Sequence, residues 1–197
     1  MDKQSNWIPV KGQLCTAAFL AILLIGAWLG SLFILFFPDA FDAQVGSVFF
    51  SGAFINMEQG WLSAFSAFLF DSLFYLLLVF LFGMTFLGVA VVPLTVLFKG
   101  FTLGASLTAL LVLEGTGSFF RSWITYLPAT SFCTVVFVIF SGRAYGVSRK
   151  ACRFLFSGES AAISLKSFGA HFLAALALLL MVSVLNSALG FLAAILF

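Results

Sequence analysis

The chain has 197 residues, 63% of them hydrophobic and only 8% charged, with a formal net charge of +2. A soluble domain carries about 45–50% apolar and about 25% charged residues, because it must still cover itself with polar groups. These values exclude a cytosolic enzyme, a nucleic-acid binder and a disordered chain, and they make lipid the solvent.

Crossing about 30 Å of hydrocarbon takes about 20 apolar residues. The first stretch of that kind is Leu14–Phe37. It is longer than the 7–15-residue apolar core of a signal peptide, and no A-x-A site follows it. It therefore reads as a retained first span.

An outer loop, Pro38–Asp71, comes next. Within it Phe50, Phe54, Met57, Trp61, Phe65 and Phe68 recur at helical spacing, with Ser51, Asn56, Gln59, Ser63 and Ser66 between them. This periodicity predicts an amphipathic helix over about 48–70. Its apolar face suits the outer interface, the bundle, or an extracytoplasmic partner.

The second and third spans are predicted over 72–92 and 94–113. Pro93 is the strongest helix breaker between them, and Lys99-Gly100 is the next turn candidate. The break is thus expected between Val92 and Gly100, as a turn between two crossings or as a re-entrant hairpin. In either form Lys99 lies close enough to the inner face to snorkel to the headgroups. Alternatively it marks a transport path or a partner contact.

The fourth span is predicted over 122–142, between Arg121 and Arg143. A basic loop over 143–166 follows, suited to anionic lipid or to a cytoplasmic partner. The fifth span is predicted over 168–197. The pattern as a whole predicts one all-α integral membrane domain of five transmembrane helices.

Orientation follows from Lys and Arg. With the N-terminus in the cytoplasm and the C-terminus outside, every basic residue except Arg121 falls on the inner side. Asp39, Asp42, Glu58, Asp71 and Glu114 fall outside. The reverse orientation inverts this sorting.

No Walker A, GxSxG, HExxH or helix-opening GxGxxG motif is present. No cofactor is implied. His171 reads as an interfacial polar residue. The cysteines Cys15, Cys133 and Cys152 lack metal or redox spacing and read as small buried hydrophobes. Gly26/Gly30, Gly100/Gly104 and Gly142/Gly146 have the spacing that lets helix backbones approach closely. Ser183, Asn186, Ser187 and Gly190 form a small-polar stripe expected to face protein. Asp71, Glu58 and Glu114 are the first residues to consider for a membrane enzyme.

The segment VPLTVLFKGFTLG, Val92 to Gly104, resembles the central signature of the stage II sporulation protein M family, in which a proline, Lys-Gly and a second glycine occur in this order. Leu127-Pro128 stands where that family has a Leu-Pro opening the next span. The resemblance assigns Pro93, Lys99, Gly100, Gly104, Leu127 and Pro128 to the family motif and to helix packing. It implies a non-enzymatic scaffold of the bacterial cytoplasmic membrane, needed for engulfment in sporulation. The implied partners are sporulation proteins D and P, which remodel peptidoglycan, along with membrane lipid and further copies of the chain. The residues themselves also leave open a membrane subunit of a transporter or channel. Lys99 beside a helix break is the feature that favours it.

Overall fold

A computed structural model describes residues 8–37, 61–113, 127–157 and 165–196. Among these, the chain forms five helices: α1 (Ile8–Phe36), α2 (Trp61–Gly83), α3 (Gly88–Leu113), α4 (Leu127–Ser157) and α5 (Leu165–Leu196). The protein is an all-α membrane helix bundle. Four segments, Cys15–Phe36, Gly88–Ala109, Leu127–Phe156 and Leu165–Ala188, are long and apolar enough to cross a bilayer, and Phe68–Gly83 forms a shorter apolar stretch. Large apolar side chains such as Trp28, Phe70, Phe74 and Met181 point outward, as a lipid solvent permits.

The break between the second and third spans lies at Met84–Leu87, not between Val92 and Gly100. Gly83 and Gly88 flank it. Thr85 closes α2 by donating both its backbone N–H and its hydroxyl to the Phe82 carbonyl. On α4, Ser148 donates to the Thr85 carbonyl at 2.7 Å. A side chain on Gly83 would strike Ala144, and one on Gly88 would strike the Phe82 carbonyl. Pro93 instead sits inside α3. Its fixed φ suits a helix, and membrane bundles tolerate the one missing N–H. Segment 93–113 is therefore part of one continuous helix and is not re-entrant. At 26 residues, α3 is about 39 Å long.

Two further boundaries move. Residues 61–70, expected in an outer helix, are the first turns of α2. Residues 143–157, expected as loop, continue α4, whose 31 residues extend about 46 Å. No proline interrupts that stretch.

The tightest seam joins α1 to α3. Added side chains on Gly26 and Gly30 would run into the carbonyls of Leu97 and Phe101. On Gly100 and Gly104 they would run into those of Leu23 and Ala27. The two glycine pairs thus face one another, so that backbones meet without intervening side chains and Cα–H groups lie against carbonyl oxygens. Facing residues ascend in the same order along both helices, Gly26 against Leu97 and Gly30 against Phe101, so α1 and α3 run parallel. Ser31 adds a hydroxyl bond to the Gly104 carbonyl at 3.3 Å. Gly142 and Gly146 make no such crossing: a side chain at Gly142 finds ordinary space, and at Gly146 nothing lies within 4 Å.

On the other side α2 and α4 run parallel, and α5 packs antiparallel to both. Phe80 of α2 stacks on Phe172 of α5 at 4.1 Å between ring centroids, and Phe140 of α4 on Phe168 of α5 at 5.5 Å. These offset rings fill the space that small residues fill between α1 and α3. Ser183 and Ser187 of α5 face inward and are buried, and Asn186 is half-buried. Ser183 is satisfied by the Leu179 carbonyl at 2.8 Å.

Candidate functional site

The centre of the bundle holds an ion pair. Lys99 is the twelfth residue of the Gly88–Ala109 span and its only charge. Asp71 lies near the middle of α2, and α2 runs antiparallel to α3. The Lys99 ammonium donates to an Asp71 carboxylate oxygen at 2.5 Å. Lys99 is only 7% exposed, and the Asp71 side chain keeps 29%. Lys99 therefore does not snorkel to the inner headgroups, and Asp71 does not lie in the outer loop. The pair cancels two charges that would each be costly to bury alone.

The surroundings complete the polar cluster. The Lys99 ammonium lies over the Tyr75 ring, 4.4 Å from its centroid, a cation–π contact strengthened by exclusion of water. Tyr75 also interacts with the Thr102 side chain. Thr102 also donates to the Lys99 carbonyl at 2.9 Å. Ser72 of α2 and Cys133 of α4 meet beside this cluster. No buried side-chain N or O among the described residues lacks a partner.

Beside Asp71 a small cavity opens between α2, α3, α4 and α5. Its volume is about 20 Å³, and Asp71, Ser72, Thr130 and Cys133 contribute to its wall. That is room for one ordered water, and the wall offers the polar partners such a water requires. Phe68 and Leu179 contribute apolar wall.

The motif residues named from the sequence are put to internal use. Lys99 pairs with Asp71, Gly100 and Gly104 receive α1, and Pro93 lies half-buried in the second turn of α3. Leu127 and Pro128 open α4, where Pro suits the first turn because that N–H has no helical partner. The proposed partner face divides. Phe50, Phe54 and Met57 lie outside the described residues, as do Asp39, Asp42, Glu58, Glu114 and Arg121. Trp61 opens α2, and Phe65 is half-buried. Phe68 is 2% exposed and belongs to the core, so it is not available to a partner. The 3-and-4 spacing marks a buried helix face there because the bundle closes over it.

The sequence reading missed Asp71 as the counter-ion of Lys99. The signal was a single acid and a single base at matching depth on neighbouring antiparallel spans, and it was hidden by placing the α2–α3 turn too late. Among the described residues no group of three or more His, Cys, Asp or Glu is arranged to hold a metal ion. No protein-family model, curated protein or solved structure matches this chain.

Proposed function

We propose that this chain is a non-catalytic scaffold of the bacterial cytoplasmic membrane that resembles stage II sporulation protein M. In that role it anchors or recruits peptidoglycan-remodelling proteins during engulfment. One observation carries the reading. The polar and small residues of the Val92–Gly104 signature are consumed in holding the bundle together, Lys99 by Asp71 and Tyr75, and Gly100 and Gly104 by α1. A motif used in this way specifies architecture, and a rigid bundle is what a docking platform needs. The N-terminus is cytoplasmic, which keeps the bases inside. The partners, by resemblance, are sporulation proteins D and P, and a second copy of the chain can share the platform.

Affinity capture of the full chain from detergent extracts of sporulating cells tests this. The expected result is co-recovery of a cell-wall hydrolase. Its absence, with the chain expressed and folded, overturns the proposal.

A second reading, a membrane subunit of a transporter or channel, is favoured by the Asp71–Lys99 pair beside a polar cavity at mid-span. Flux through liposomes containing wild type or Lys99→Ala tests it, with a difference between them expected. Equal flux at background level removes it.

A further inference from the structure

The second half of α4 carries an unusual face. Arg143, Arg149, Lys150 and Arg153 are all exposed. At 100° per residue they fall within an arc of about 120°. Ala144 and Ser148, which pack against α2 and the Met84–Leu87 turn, lie on the opposite side. The basic arc therefore points away from α2 and its turn, while Gly142 and Tyr145, on its Arg149 side, meet Cys15 and Phe19 of α1. None of its members forms an ion pair among the described residues. Phe154 and Phe156, 54% and 77% exposed, flank the arc.

The level of this face is fixed by the fold. Gly83 meets Ala144, and Ser148 bonds the Thr85 carbonyl, so the arc begins where α2 turns back into α3. Exposed Met84, Phe86 and Leu87 form that turn. The start of α5, with exposed Lys166, lies at the same end, since Phe168 stacks on Phe80. A band of apolar tips with bases just beyond it matches the boundary between acyl chains and headgroups.

We propose that the outward face of α4, centred on Arg149, Lys150 and Arg153, is a binding surface for the headgroups of anionic phospholipid. Three facts select this occupant. The charge is complementary to phosphodiester groups. All four basic side chains are exposed, on the side of α4 turned away from α2. Guanidinium groups take phosphate oxygens in a bidentate fork. The inference stands independently of the scaffold reading.

Native mass spectrometry of the detergent-solubilised full chain, titrated with phosphatidylglycerol or with phosphatidylcholine of the same acyl chains, tests it. Wild type is expected to retain phosphatidylglycerol preferentially. The R149Q/K150Q/R153Q variant is expected to lose that preference by about tenfold or more, while R121Q keeps it. In wild type the preference is expected to collapse as salt rises and screens the charges. This last measurement needs no variant to fold. Equal retention of the two lipids by wild type, an unchanged preference in the triple variant, or indifference to salt overturns the proposal. Displacement of the lipid by millimolar inorganic phosphate alone assigns the face to free phosphate and overturns the lipid assignment.

Discussion

Asp71 and Lys99 are 28 residues apart in the chain, yet their side chains meet at mid-length of two antiparallel helices. The contact fixes the register of α2 on α3 more sharply than apolar packing does, since a shift of one turn, about 5.4 Å, would leave both charges unpaired. Lys99→Met is expected to destabilise the bundle by about 1–3 kcal/mol, the cost of leaving a part-buried carboxylate unpaired. The double variant Asp71→Asn/Lys99→Met should recover much of that loss. Thermal unfolding in detergent checks both, and a double variant no more stable than Lys99→Met contradicts the pairing.

The α1–α3 seam makes a prediction that separates glycines of equal spacing. Gly104→Ala pushes a methyl into the Ala27 carbonyl and should cost about 1–3 kcal/mol through enforced separation of the helices. Gly146→Ala meets open space and should be neutral or stabilise by up to about 1 kcal/mol, the helix-propensity gain. Equal losses for the two variants would contradict the seam as described.

Ser148 is fully buried and ties α4 to the turn between α2 and α3. Ser148→Ala removes that donor and is expected to cost about 1–2 kcal/mol. The effect should concentrate at the turn, as faster amide hydrogen exchange over residues 84–91 with the centre of α3 unchanged. Uniform acceleration along α3 would show that the hydroxyl does not act locally.

The thiols report burial and sidedness together. Cys133 is 9% exposed in the core, whereas Cys152 is half-buried near the basic end of α4. In single-cysteine variants, a membrane-impermeant maleimide is expected to label Cys152 from the cytoplasmic side only. Cys133 should react only after unfolding. Labelling of Cys152 from the outside would invert the proposed orientation.

Much of this architecture could be read from the residues. Apolar run lengths located the helices, because lipid allows few other backbone solutions. The glycine spacing in Gly26/Gly30 and Gly100/Gly104 marked surfaces for close approach. It did not say that the two pairs meet each other, since spacing carries no information about partners. Pro93 misled for a physical reason: its missing N–H and ring clash disfavour a helix interior, yet a membrane bundle tolerates them, and Pro93 lies in the second turn of α3. The true break depended on Gly83, Thr85 and Gly88, which are weaker signals individually. That shift of about one helical turn or more hid the Asp71–Lys99 pair, because depth along a span is counted from its turn. Phe68 shows the same limit. Periodicity defines a face, and only tertiary packing decides what covers it.

The parallel pairing of α1 with α3 bears on how the protein is made. Ser31 and Gly104 are 73 residues apart, so the glycine face of α1 has no partner while α2 is being synthesised. The first helix must wait in the bilayer, with its closest-packing surface against lipid, until the third arrives. The tightest seam in the molecule thus closes only once α3 is made, and a chain cut short before Gly104 would leave α1 without that helix.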